Sequence, residues 1–166
     1  MSDYSLGHVE VSLSPLERFE EFLQSRGKRV TQQRKIIVEH VFRKHEHFDA
    51  EALIDEVARL ESSPKVSRPT VYRTLRELVD AGLLRQMSLS GRAVYEHDYG
   101  YPQHDHLHCQ TCDKLIEFRS QELQQIRDSV AQEHGFRVTG HRFIVVGTCR
   151  DCLRSKRKRN PALDRI

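Results

Sequence analysis

Ser67-Arg68-Pro69-Thr70-Val71-Tyr72-Arg73-Thr74-Leu75-Arg76-Glu77-Leu78-Val79-Asp80-Ala81-Gly82 is the stretch on which the fold turns. A start near Ser67-Arg68-Pro69, apolar residues at Val71, Leu75, Leu78 and Val79, and a stop at Gly82 predict a helix. Two short extended runs follow, Leu83 to Leu89 and Arg92 to His97, joined by Ser90-Gly91 as a hairpin. Upstream, Asp49 is placed to cap a helix with Ala50, Leu53, Ile54, Val57 and Leu60 inward, and Ser62-Ser63-Pro64 breaks the pattern. Thr31 caps another, carrying Ile36, Ile37, Val41 and Phe42. Pro15 to Ser25 is a first helix, with Leu16, Phe19, Phe22 and Leu23 at helical spacing and Gly27 closing it. Helices ending in a small two-stranded wing describe a winged helix-turn-helix, with the third and fourth helices as the pair. Arg68, Thr70, Tyr72 and Arg73 then lie in the first turns of the reading helix. Arginine reads guanine or grips phosphate, and tyrosine packs on a thymine methyl or bonds a phosphate. Plain solvent exposure is the competing reading of Tyr72 and Arg73, and the wing favours DNA.

At 166 residues the chain suits one ordinary domain or two small ones. A formal charge of +3 says little by itself, but its distribution is local. Arg26, Lys28, Arg29, Arg34 and Lys35 gather near one helix start, Arg68, Arg73 and Arg76 near another, and Lys156-Arg157-Lys158-Arg159 forms a tail block. Such patches fit a nucleic-acid reader, since phosphate contacts need only a local field. Met1 to Ser14 lacks a basic start and an apolar core, and no apolar run approaches the roughly 20 residues that cross a bilayer. The expectation is a cytoplasmic protein with no membrane partner and no small organic substrate.

Composition shifts at Asp98 to Gln103, where Tyr99-Gly100-Tyr101-Pro102 reads as a hinge. Beyond it, four cysteines form matched pairs, Cys109–Cys112 and Cys149–Cys152. Two knuckles of this kind complete one tetrahedron around an ion, and a closed thiolate shell serves structure rather than catalysis. Disulfides are disfavoured in a reducing compartment. Strands are expected at His106 to Cys109 and Leu115 to Phe118, then a helix capped by Ser120 holding Leu123, Ile126 and Val130, and a long strand from Phe136 to Thr148. That small sheet leaves an open face and edge, which suggests pairing with a second copy. His104 and His106 share one face of a strand. With His47, Glu96 and Glu117 they would make a mixed nitrogen and oxygen shell joining the two units, suited to Fe2+, Mn2+ or Zn2+. His8, His40 and His45 receive no role.

The combination of Thr31-Gln32-Gln33-Arg34, His47-Phe48-Asp49-Ala50-Glu51, Arg68-Pro69-Thr70-Val71-Tyr72-Arg73-Thr74-Leu75, Asp80-Ala81-Gly82-Leu83, His104-Asp105-His106-Leu107-His108-Cys109 and Cys149-Arg150-Asp151-Cys152 resembles the ferric uptake regulator family, over roughly Pro15 to Leu153. The resemblance implies an α+β homodimer, with an N-terminal winged helix-turn-helix domain followed by a small α/β dimerisation domain. It implies one structural Zn2+ per subunit on Cys109, Cys112, Cys149 and Cys152. It also implies a regulatory site of His47, Glu96, His104, His106 and Glu117 for Fe2+ or Mn2+, with Zn2+ able to enter in vitro. Its partner is double-stranded DNA: A·T-rich inverted repeats are bound by the metal-loaded dimer, with Arg29 entering the minor groove and Tyr72 and Arg73 facing the major groove. Many members carry a third metal site. Its positions here read Gln103, Asp105, Gln124 and His141, so two ligands are amides and only Asp105 with His141 remain to hold an ion.

The parts are then an N-terminal extension (1–14), the winged-helix domain (15–97), a hinge (98–103), the dimerisation and metal-binding domain (104–153) and a basic tail (154–166), whose stretch from Lys156 to Ile166 is expected to be disordered and able to add phosphate contacts. Glu96 stands where zinc sensors often place cysteine, and Glu117 stands where peroxide sensors show aspartate, so iron is favoured over manganese, zinc or peroxide sensing. A metal-dependent hydrolase, with Glu117 or Glu96 as base, is the alternative from another class, but nothing resembles HExxH. A zinc-stapled module without sensing is a third reading. The chain is not expected to be an enzyme.

Overall fold

The structure, a computed structural model, describes residues 9–43, 45–61 and 64–159, with side chains through Ser155. His8, the Ser62-Ser63 break and the side chains of the Lys156–Arg159 block lie outside the described residues. Contacts divide the chain into an N-terminal unit, His8–Pro102, and a C-terminal unit from Gln103 onward.

The N-terminal unit begins with α1 (Pro15–Ser25). Ser14 and Glu17 form a capping box there, each satisfying the other's backbone N–H. Thr31 caps α2 (Gln32–Val41), Asp49 caps α3 (Ala50–Ala58) and Ser67 caps α4 (Arg68–Asp80). Gly82 stops α4 in the left-handed region, with φ +68°. The wing is β2 (Leu84–Leu89) and β3 (Arg92–His97), turning through Ser90 and Gly91 at φ +49° and +77°. Positive φ at both positions is the twist that a two-residue hairpin requires. One element was not expected. β1 (Phe48–Asp49) adds to β3 antiparallel, so the sheet runs β1-β3-β2. The core takes Phe19 and Leu23 from α1, Ile37 and Val38 from α2, Leu53 and Val57 from α3, and Val71, Leu75 and Leu78 from α4, all at most 3% exposed. Tyr99 packs against this core and its hydroxyl donates to the Leu13 carbonyl at 3.1 Å.

In the C-terminal unit β4 (Asp105–Cys109) is the central strand, antiparallel to β5 (Leu115–Phe118) and parallel to β6 (Ile144–Gly147). Ser120 caps α5 (Gln121–Glu133), and α6 (Arg150–Arg159) closes the described chain. Three expectations need correction. The strand expected over Phe136 to Thr148 is only Ile144–Gly147, because β6 pairs only with the four β4 residues His106 to Cys109. Ile126 and Val130 of α5 are not inward: they are 61% and 51% exposed, so this helix buries no apolar face within the described chain. The tail is helical through Arg159 rather than disordered from residue 156.

Candidate metal centres and reading face

The β4–β5 turn places the first thiol pair, and the junction of β6 with α6 places the second. The Cys109 N–H donates to the Lys114 carbonyl at 2.9 Å, and the Asp113 N–H donates to the Cys109 carbonyl at 2.8 Å. Asp113 turns the knuckle at φ +56°, a region that aspartate tolerates. The Cys149 N–H donates to Cys109 Sγ at 3.2 Å, tying the two knuckles together. All four Sγ atoms lie within 4.8 Å of one another, and those of Cys112 and Cys149 are 3.8 Å apart. An edge of about 3.8 Å is what a tetrahedron with Zn–S bonds of about 2.3 Å requires, so the donor set fits a closed thiolate site. The Cys149 N–H draws the Cys109 thiol down to about 6, whereas hydrogen bonding to Cys112 pushes Cys152 up to about 12. Four crowded sulfurs resist ionising together, and a divalent cation relieves that repulsion.

A second group of ligands lies on the same sheet. His104 and His106 share one face of the β4 segment, with ring centroids 4.8 Å apart, and both are buried. His106 stands directly across the strand pair from Glu117, and His104 Nε2 lies 3.8 Å from Glu117 Oε1. Asp105 faces the opposite way, as the alternation of a strand dictates. His108, on the histidine face, reaches Asp113 at 3.2 Å.

The N-terminal unit holds the other expected pair. The register Phe48↔Tyr95 and Asp49↔Val94 puts residue 47 opposite residue 96. His47 Nε2 accordingly lies 3.1 Å from Glu96 Oε2, and Glu96 is only 4% exposed. The unexpected β1 therefore positions this pair.

Around Asp105 the arrangement departs from a ligand cage. His141 Nε2 lies 3.1 Å and 3.4 Å from the two Asp105 oxygens. Its Nδ1 faces Gln103 Nε2 at 2.8 Å and Arg127 Nη1 at 2.9 Å. Arg127, not signalled by the sequence, thus joins Gln103 at the histidine.

On the reading helix, Arg73 is exposed, and Tyr72 is 46% exposed. Arg68 donates to both Glu51 oxygens at 2.8 and 2.7 Å, and the Tyr72 hydroxyl donates to Glu51 Oε1 at 2.5 Å. These bonds, Tyr72's foremost, hold the Glu51 carboxyl below its usual range. Thr70 donates to Gln33 Oε1 at 3.4 Å. Arg29 is exposed, and its carbonyl accepts from Arg34 Nη1 at 3.0 Å. Arg34 in turn grips the buried Glu77 at 2.9 Å, with Lys28 on the same carboxylate at 2.8 Å. Neither Glu51 nor Glu77 was foreseen. The only signal for Glu77 is a carboxylate beside the apolar stripe Val71, Leu75 and Leu78.

A winged helix-turn-helix with an exposed arginine and tyrosine face, on one chain with thiolate and histidine–carboxylate clusters suited to metals, defines a metal-responsive transcription regulator. Residues 25–146 match the ferric uptake regulator family. The chain is 34% identical over 143 residues to the ferric uptake regulation protein of Campylobacter jejuni, covering 86% of this chain and 91% of that protein. The fold is shared with the Helicobacter pylori ferric uptake regulator, described as having three functional metal binding sites, at a TM-score of 0.76 and 24% identity over 89% of this chain and 97% of that one. The Vibrio cholerae regulator, whose DNA-binding domains are described as rearranged, aligns at a TM-score of 0.65 and 29% identity, over 78% and 98%. This chain belongs to the ferric uptake regulator family. It is of the class of transcriptional repressors that bind metals, a class of regulators rather than enzymes. No helix among the described residues is long and apolar enough to cross a membrane.

Proposed function

We propose that this chain represses transcription as a homodimer on an A·T-rich inverted repeat when a divalent ion, iron in the cell, fills a site of His47, Glu96, His104, His106 and Glu117. The observation that carries the reading is the preparation of both ligand groups. One pair stands side by side at 3.1 Å where the residue before β1 meets β3, and the others share one face of the β4 segment and β5. Each group alone is an incomplete shell, and Asp98 to Gln103 connects them along the chain. Imidazole with carboxylate suits Fe2+ or Mn2+, and Glu96 in place of a thiolate argues against a dedicated zinc sensor. Cys109, Cys112, Cys149 and Cys152 would hold a permanent Zn2+ that staples the small sheet.

The regulatory step is a population shift. An ion bound by ligands of one unit alone stabilises every arrangement of the units equally and regulates nothing. Ligands from both units make affinity depend on the arrangement. Moving a dimer from about 1% to about 99% competent needs about 5.5 kcal/mol of differential affinity. In the competent arrangement Tyr72, Arg73, Arg68 and Thr70 of two subunits meet successive major grooves, and Arg29 meets the minor groove beside them. The second subunit would cover Leu107, Ile116 and Val145, neighbouring apolar residues that are 41–42% exposed.

Replacing His47 with alanine tests this. Expected is a loss of the iron- or manganese-dependent shift of operator DNA of at least tenfold, with the tetrathiolate zinc and the dimer retained. A fully metal-responsive variant would refute the shared site.

A further inference from the structure

The cluster around Asp105 already holds a cationic side chain. Asp105 is 2% exposed, so its carboxylate needs a donor or a counter-charge close by. His141 Nε2 supplies a donor to Oδ2 at 3.4 Å and lies 3.1 Å from Oδ1, which no hydrogen bond among the described residues satisfies. The tautomer follows from the other ring nitrogen. Arginine has only donors, so the 2.9 Å contact from Arg127 Nη1 makes Nδ1 the acceptor and leaves the proton on Nε2. Gln103 agrees: its Nε2 also meets the His141 carbonyl at 3.2 Å, which fixes the amide with nitrogen inward. Both ring nitrogens of His141 are therefore committed. Arg127 is itself held from behind, its Nε and Nη2 each 2.8 Å from Asp128 Oδ1.

A divalent ion entering here would need a nitrogen lone pair that Arg127 and Gln103 already use. It would also sit beside a guanidinium, with the Asp105 carboxylate as its one anionic donor. The residues present do not fit a metal. We propose that Arg127 is the resident cation of this pocket: its guanidinium, acting through His141 on Asp105, takes the place of a third metal ion. The chain then joins α5, the segment before β6 and β4 by side chains alone. Asp105 lies between His104 and His106, so the same lock fixes the strand that presents the regulatory histidines.

The test is a zinc count on the full-length protein after removal of loosely held metal and gel filtration from a few-fold excess of Zn2+. The wild-type protein should hold two ions per subunit. Arg127→Gln, which leaves only the neutral Gln103 amide on His141 Nδ1 and removes the cation that faces Asp105 through the ring, should hold one more. The difference between the two proteins reads this proposal. The absolute count reads the two-site function proposed above: if the regulatory site failed, both counts would drop by one and the difference would stand. Equal counts in the two proteins would overturn the inference. Because Arg127→Gln is open to misfolding, zinc-edge anomalous scattering from wild-type crystals soaked in Zn2+ decides independently. No peak bonded to both His141 and Asp105 is expected, and such a peak would overturn the proposal.

Discussion

Glu77 sits 6% exposed between Arg34, itself 13% exposed, and the half-exposed Lys28. The Lys28 contact is screened by solvent and contributes little. The Arg34 pair is another matter, since removing one partner of a buried pair strands the other charge. Glu77→Gln should cost about 3 kcal/mol of stability in urea denaturation. It should also weaken operator binding, because Arg34 braces the carbonyl of Arg29. A loss below about 0.5 kcal/mol would show that Arg34 finds solvent instead. Residue types in the chemistry-bearing motifs were legible: cysteine pairs and alternating histidines announce candidate ligands by spacing, and the structure brings each group together. Glu51, Glu77 and Arg127 were not, because each acts on a partner remote in sequence. Glu51 meets Arg68 and Tyr72, and Arg127 meets His141, through contacts that no local pattern encodes.

Helix boundaries show the same division between local and remote causes. Thr31 and Asp49 cap as expected, and Gly82 and the Ser90-Gly91 turn lie where their types pointed, since caps and turns are settled within a few residues. Gly82 has φ +68°, and an added Cβ would meet nothing within 4 Å. The cost of Gly82→Ala should therefore be conformational alone, about 1 kcal/mol in thermal or urea unfolding. A cost near zero would mean that α4 ends without this conformation. β1 escaped notice because two residues carry no period; its existence depends on β3 offering an edge. β6 was overestimated for the complementary reason. The apolar run in Phe143-Ile144-Val145-Val146 reads as strand, but a strand extends only as far as its partner.

The two units are stabilised by different means. The N-terminal unit has a contiguous apolar core, as its helical periodicities foretold. In the C-terminal unit the buried residues among those described are His104, Asp105, His106, His108, Cys109 and Ser120, while Ile126, Val130, Phe136 and Val146 are more than half exposed. Exposed apolar surface on this scale is what the proposed second subunit would cover, and the open sheet hinted at it in the sequence. Val145→Asp, in the row with Leu107 and Ile116, should convert the protein to monomers in analytical ultracentrifugation and abolish operator binding. A dimer that survived would place the interface elsewhere.

The proposal of a shared regulatory site is tested most directly by anomalous scattering from crystals of the manganese-loaded full-length protein, collected at the manganese and zinc edges. The account predicts a zinc peak among Cys109, Cys112, Cys149 and Cys152, and a manganese peak bonded at once to His47 or Glu96 and to His104, His106 or Glu117. A manganese peak ligated by residues of one unit only would contradict it.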